Sequence, residues 1–409
     1  MRVTPEQSLG LLEASVRIGV AGSNFKAALV YLLQEVFGDA KVILLDLNDE
    51  FSCVARIGAT RYYDVVKHGL NPIKPPNSER VEQYVESVVE IIDYCLGAFN
   101  MKSIVAKTLL DDVLRSSETT IPEVASRLDF ETPEGGLSVY TPLEPFTFGT
   151  LRQAFGRKEA VEFSDALESS MVFNLSGFTV ASHKVFATLL ILAKLTQLKP
   201  RHRTLVIVSY PSLIWPRNRR LDNAKLFVEE SLIGELERKG YSIIFAEKNL
   251  SQVSERVLEN LDSIVFSPPS NAANPWRTGP VLEKDAPSSF MLILSKNGEY
   301  GFTDAPLNMF LKPLSEKERE ARKPDLKALS PDQELREGLG ELYEAGARII
   351  GMLKELGGKA GLNEFIEEAR ASLGAEGLRA LAALMRQGYL KQVQEGERQL
   401  LILTEGRPG

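Results

Sequence analysis

A chain of 409 residues, 44 % of them apolar and 25 % charged, has room for two or three domains and a large buried core. Its formal net charge of −7 excludes a general nucleic-acid coat but permits a local basic patch. Cys53 and Cys95 lack metal-ligand spacing and His68, His183 and His202 lie far apart, which argues against a zinc site and suits a reducing, cytoplasmic setting. No apolar run reaches the length of a membrane span, and the basic-then-apolar layout of a signal peptide is missing.

The first predicted strand, Ser15 to Val20, runs into Gly19-Val20-Ala21-Gly22-Ser23-Asn24-Phe25-Lys26-Ala27 and then a helix over Lys26–Phe37. A glycine-bearing turn between a strand and a helix is where a phosphate-binding loop sits. Such a loop needs glycine before its lysine, so that backbone N–H groups can wrap phosphate, and a hydroxyl after it to hold Mg²⁺. Phe25 and Ala27 occupy those two places. Gly19, Gly22, Ser23, Asn24 and Lys26 are therefore candidate residues of a vestigial phosphate loop. ATP and Mg²⁺ are possible ligands, but no cofactor is expected.

The apolar run Lys41–Leu47 reads as a buried parallel strand, and residues 71–77, rich in proline and asparagine, break the pattern. From Glu79 to Phe155 apolar residues recur at helical spacing, with a helix start at Thr119-Thr120-Ile121-Pro122-Glu123. Strands are predicted at Met171–Leu175, Thr204–Val208, Ser242–Ala246 and Ser263–Phe266, with helices at Ala181–Leu198 and Leu221–Lys239. Phe290–Ser295 and Tyr300–Asp304 flank Asn297-Gly298 as a hairpin. The charged, proline-bearing stretch 313–333 reads as a linker or strapping arm. Beyond it come helices near Glu334–Leu356, Asn363–Ala369 and Ala375–Gln387 and a hairpin over Tyr389–Thr404. Three helices followed by a hairpin is the order of a winged helix. The expected organisation is an α/β core with a doubly wound, mainly parallel sheet (1–78 and 156–312), an α-helical insertion (79–155), a linker (313–333) and a winged-helix-like domain (334–409).

The order of these pieces resembles the HerA/FtsK-type family of hexameric DNA-pumping ATPases, close to the archaeal HerA branch. Asp46-Leu47-Asn48-Asp49-Glu50-Phe51 is similar to the family's motif after the second strand, Gly69-Leu70-Asn71-Pro72 to its turn before the insertion, and Val172-Phe173-Asn174-Leu175-Ser176-Gly177 to a later strand end. The resemblance implies a RecA-like P-loop NTPase core. It also implies paired acids after Leu205–Val208, where this chain has Ser209-Tyr210, and a sensor glutamine where it has Lys248. With the glycine, the Mg²⁺ hydroxyl, the acid and the amide all lost, efficient phosphoryl transfer is not expected. The small N-terminal β-barrel of the HerA branch is missing too.

Several residues admit two readings. Phe25 fills the phosphate cavity with Lys26 facing solvent or pairing with Asp46, or Lys26 still meets a phosphate. Asp46 and Glu50 cap the strand end and hold its loop, or serve as an acid/base pair. Arg217, Arg219 and Arg220 beside Trp215 contact DNA phosphates or a neighbouring subunit, or form a solvated turn; Trp276-Arg277 is a weaker candidate. In the last domain Arg379, Arg386, Lys391 and Arg398 are the natural phosphate contacts, while Glu364, Glu367, Glu368 and Glu376 would repel DNA and favour protein docking. The leading reading is a catalytically degenerate pseudo-ATPase with a structural or regulatory part in DNA processing. Its expected partners are DNA or another protein of a DNA-processing complex, with self-association through the core and no membrane. A divergent translocase with an altered P-loop, or a winged-helix DNA-binding regulator, are the alternatives.

Overall fold

The computed structural model describes residues 2–76, 80–97, 102–115, 119–125, 143–156, 163, 165–219, 222–267, 290–305, 311–324, 339, 342–386, 389–395 and 398–403. The chain divides into two compact units, Met1–Leu326 and Lys327–Gly409.

The first unit is built on one sheet, ordered β3-β4-β2-β5-β6-β1-β7-β8-β9 among the described residues. Its strands are β1 (Arg17–Gly22), β2 (Lys41–Asp46), β3 (Arg61–Asp64), β4 (Met171–Asn174), β5 (Thr204–Ser209), β6 (Tyr241–Glu247), β7 (Ser263–Ser267), β8 (Phe290–Ser295) and β9 (Tyr300–Asp304). From β3 to β7 all neighbours are parallel, and β7-β8-β9 closes the sheet antiparallel. The apolar runs KVILLD and TLVIVS form central strands because helices cover both faces. Alternate residues serve opposite faces. Ile43, Leu45, Val206, Val208, Ile243 and Phe245 share a core with the helices α4 (Val81–Leu96) and Ala181–Thr196. Val42, Leu44, Leu205, Ile207 and Ile244 share the other with α2 (Phe25–Glu35).

Three features of this unit were not expected. A helix, α1 (Pro5–Glu13), precedes β1, capped by a reciprocal box in which Thr4 and Gln7 satisfy each other's backbone N–H groups. The short strand β3 extends the sheet beyond β4 and leads directly into α3 (Val65–His68). The helix expected over Leu221–Lys239 is instead Asn223–Leu226, a π turn at Phe227–Ser231, and Leu232–Lys239. Between β3 and β4, α4 packs on Ala181–Thr196, α5 (Lys102–Arg115) packs on α4, and Thr120 N–H donates to the Glu123 carboxylate. Residues 126–142 of the expected insertion lie outside the described residues.

The arm at 311–324 straps the core. Leu314 is buried, and the helix Glu316–Ala321 places Arg319 against Asp49 (2.6 Å) and the Tyr62 hydroxyl (3.1 Å). Arg56 clasps Glu318 at 3.0 Å. Both sheet edges are covered by single backbone contacts: Tyr62 N–H donates to Arg322 O, and Val3 N–H to Tyr300 O, each at 2.8 Å. Natural sheets cover such edges against unwanted strand pairing.

The second unit has a helix Tyr343–Glu355, strand β10 (Lys359–Gly361), a helical run Leu362–Arg386 broken at Gly374 (φ 63°), and a hairpin of β11 (Leu390–Glu395) and β12 (Arg398–Leu403). Its sheet order is β10-β12-β11, and β10 was not expected from sequence. Ile349, Leu353, Phe365, Leu384 and Leu401 form its own small core.

Candidate functional site

The candidate loop sits at the carboxyl ends of the parallel strands, the usual ligand-binding edge of a doubly wound sheet. Strand β1 ends at Gly22, whose φ of 110° is open to glycine alone in practice. A Cβ added there would lie 2.0 Å from the Ser267 carbonyl oxygen at the end of β7. The glycine is thus required by a close approach of two backbones. Ser267 also occupies the loop: its hydroxyl donates to Ala21 O and accepts the Asn24 N–H, both at 3.1 Å. Gly22 N–H donates to Lys248 O at 3.1 Å. Two N–H groups of the candidate loop are therefore held by protein oxygens. Gly19 lies further back in β1, where an added Cβ would crowd Leu250 at 2.8 Å.

Phe25 opens α2 and is only 3 % exposed. Its ring meets Phe51 and Tyr210 edge-on, with both centroids at 5.9 Å. An aromatic trio therefore stands at the helix end that would face a phosphate. Lys26 pairs with Glu50 at 2.9 Å, not with Asp46. Glu50 also accepts the Tyr210 hydroxyl. Ala27 is buried.

Asp46 is unavailable to Lys26 because its fully buried carboxylate accepts the N–H groups of Asn48 (3.3 Å), Glu50 (3.1 Å) and Phe51 (2.8 Å). It holds the turn after β2, the structural one of its two sequence readings. Burial outweighs these hydrogen bonds and raises its pKa to about 6. A carboxyl whose folded pKa is raised contributes stability that is present below its ordinary value of 3.8 and lost as pH rises through about 6. Asp46→Asn is expected to flatten that part of the stability profile in denaturant titrations run across this pH window; an unchanged slope would contradict the assignment.

At the end of β5, Ser209 Oγ donates to Leu45 O (2.9 Å) and accepts Leu47 N–H (3.0 Å), stitching β5 to β2. Tyr210 follows at φ 53°, and Asp49 across the site has φ 60°. These are the two non-glycine residues with positive φ among those described; Tyr210 packs on Phe25, and Asp49 directly precedes Glu50, the partner of Lys26. No carboxylate ends β5. The end of β6 carries one that sequence reasoning missed: Glu247 is buried, its pKa raised by burial, and it accepts the N–H (2.9 Å) and hydroxyl (2.6 Å) of Ser212. Lys248, at the expected sensor position, is exposed. Among the described residues no cluster of His, Cys, Asp or Glu is arranged to hold a metal ion.

Among the described residues the basic candidates have partners of their own or are exposed. Arg217 is exposed and pairs with Glu255. Arg219 lies 3.5 Å over the Tyr94 ring and donates to Tyr94 O, so its guanidinium ties its loop to α4. Arg220, Trp276 and Arg277 lie outside the described residues. Arg379 and Lys391 are exposed on the second unit; the side chains of Arg386 and Arg398 lie outside the described residues.

No family model matches the chain, and no curated protein matches it in sequence. Among solved structures it is similar to VirB4 of Thermoanaerobacter pseudethanolicus, with TM-score 0.53, 14 % identity, and coverage of 72 % of this chain and 91 % of that one. It is also similar to the bacterial conjugative coupling protein TrwBΔN70 in its unbound monoclinic form, with TM-score 0.50, 11 % identity, and coverage of 77 % and 87 %. At these identities the likeness is one of fold, and the first unit has the RecA-like P-loop ATPase fold. No helix among the described residues is long and apolar enough to cross a membrane.

Proposed function

We propose that this chain is a pseudo-ATPase: a RecA-like core, derived from the HerA branch of DNA translocases, that keeps the fold without turning over nucleotide. One observation carries the reading. Phe25, at the position where a phosphate loop carries glycine, packs against Phe51 and Tyr210, while Lys26 is engaged by Glu50 and the Asn24 N–H by Ser267. Phosphoryl transfer depends on positioned N–H groups, a metal and an acid. At this edge the Gly22 and Asn24 N–H groups are already taken, an alanine stands where the metal hydroxyl belongs and a serine–tyrosine pair where the acid belongs.

In this reading the core is a structural platform that associates with itself or with an active ATPase, in a cytoplasmic DNA-processing assembly. The second unit is a winged helix, supported by its order of helix, short strand, two helices joined at Gly374 and hairpin. It engages DNA or a protein, with Arg379, Arg386, Lys391 and Arg398 as its phosphate contacts; Arg217 and Arg220 are the core's candidates. Arg219 serves that surface indirectly, by fixing the loop. Phosphate release from Mg-ATP, measured with and without DNA, is expected to stay at background and to be unaffected by Lys26→Ala. DNA-stimulated turnover that Lys26→Ala abolishes would overturn the proposal in favour of a divergent translocase.

A further inference from the structure

The hairpin of the second unit ends in an open strand. Leu403 N–H donates to Gly358 O at 2.9 Å, so the backbone groups of Leu403 and Leu401 turn toward β10. Those of Ile402, Leu400 and Arg398 then turn toward β11, opposite Lys391, Val393 and Glu395. By the same alternation, the N–H and C=O groups of Leu390, Gln392 and Gln394 face outward from β11. Among the described residues no strand or bridge lies against that edge. This contrasts with β3 and β9 of the core, which are both covered.

We propose that β11 pairs with β11 of a second copy of this chain, antiparallel, about a twofold axis at Val393. The order Lys391-Gln392-Val393-Gln394-Glu395 is complementary to itself in reverse. In this register Gln392 faces Gln394 of the second copy, and the two outward-turned residues exchange both backbone hydrogen bonds. Lys391 stands opposite Glu395 of the second copy, twice by symmetry, which is an attractive cross-strand pair. Val393 meets its own copy in the non-hydrogen-bonded position, where side chains approach most closely. Its side chain is 39 % exposed, and its neighbours on that face, Leu400 and Ile402, are half-buried. Pairing therefore joins two apolar strips into one six-stranded sheet and removes an open edge. A one-residue slip would turn inward-facing groups to the interface, and a two-residue slip would set Lys391 or Glu395 opposite Val393, losing the paired charges.

The test is sedimentation equilibrium of the full chain and its charge variants. Lys391→Glu and Glu395→Lys, each turning two attractive pairs repulsive, are expected to raise the dimer dissociation constant about tenfold. The double swap is expected to restore it. Gln392→Pro removes an outward N–H, leaves the pairing with β12 intact, and is expected to weaken association as well. In a separate readout, Val393→Cys is expected to form a dimer through a disulfide on oxidation, because Cα atoms about 4.5 Å apart are within bridging range. A chain monomeric at every concentration overturns the assignment. So does association that all of these variants leave unchanged, since it then belongs to another surface, or a Val393→Cys chain that does not cross-link.

Discussion

Gly22→Ala is expected to destabilise the first unit by about 3 kcal/mol or more, read from chemical denaturation. Two costs add. A φ of 110° is strained for any side chain, and the new Cβ would lie 2.0 Å from the Ser267 carbonyl oxygen. Ser267 cannot simply swing away, because the obstructing atom is backbone in a strand paired with β1 along its length. Relief requires β1 and β7 to part at their ends, which also breaks the Asn24 N–H bond to Ser267. The variant separates two accounts of the glycine. One that served only a phosphate would tolerate alanine in the unliganded protein, leaving stability within about 0.5 kcal/mol.

Phe25→Ala carries the other large effect, about 3–5 kcal/mol of lost stability. The side chain is 3 % exposed, and it supplies edge-on contacts to both Phe51 and Tyr210. Truncation leaves a cavity beneath two residues that are themselves held, Phe51 by its N–H bond to Asp46 and Tyr210 by Glu50, so collapse around the gap is limited. Small domains are stable by only about 5–15 kcal/mol, so the change would be plain in a denaturant midpoint. A loss below about 1 kcal/mol would mean that the aromatic trio is not integral to the core.

The central sheet was legible because its strands are long and uniformly apolar: KVILLD and TLVIVS have few alternatives once helices flank them. RYYD and KAG were overlooked because strands of four and three residues carry too little periodicity, and tyrosines do not announce a buried edge. The first helix carries a local signature, since Thr4, Pro5 and Gln7 spell a capped start. The π turn at Phe227–Ser231 has no sequence signature, since one residue of extra winding leaves helical spacing almost intact.

At the site, the types of residue told more than their partners did. Phe25 and Ala27 depart from the phosphate-loop pattern whatever surrounds them. The partner of Lys26 was misassigned between two acids four residues apart, because Asp46 spends its oxygens on its own turn. Ser267 could not have been found, since its contact with Asn24 spans 243 positions of sequence. Arg219 looks like its neighbour Arg217 in sequence, and only the position of Tyr94 distinguishes them.

Calorimetric titration of the full chain with Mg-ATP, repeated on Lys26→Ala, tests the central claim most directly. No binding heat is expected from either protein, because the Gly22 and Asn24 N–H groups of the loop and its lysine already have partners. Micromolar binding by the parent chain that Lys26→Ala removes would contradict it, and would show that the altered loop still holds nucleotide.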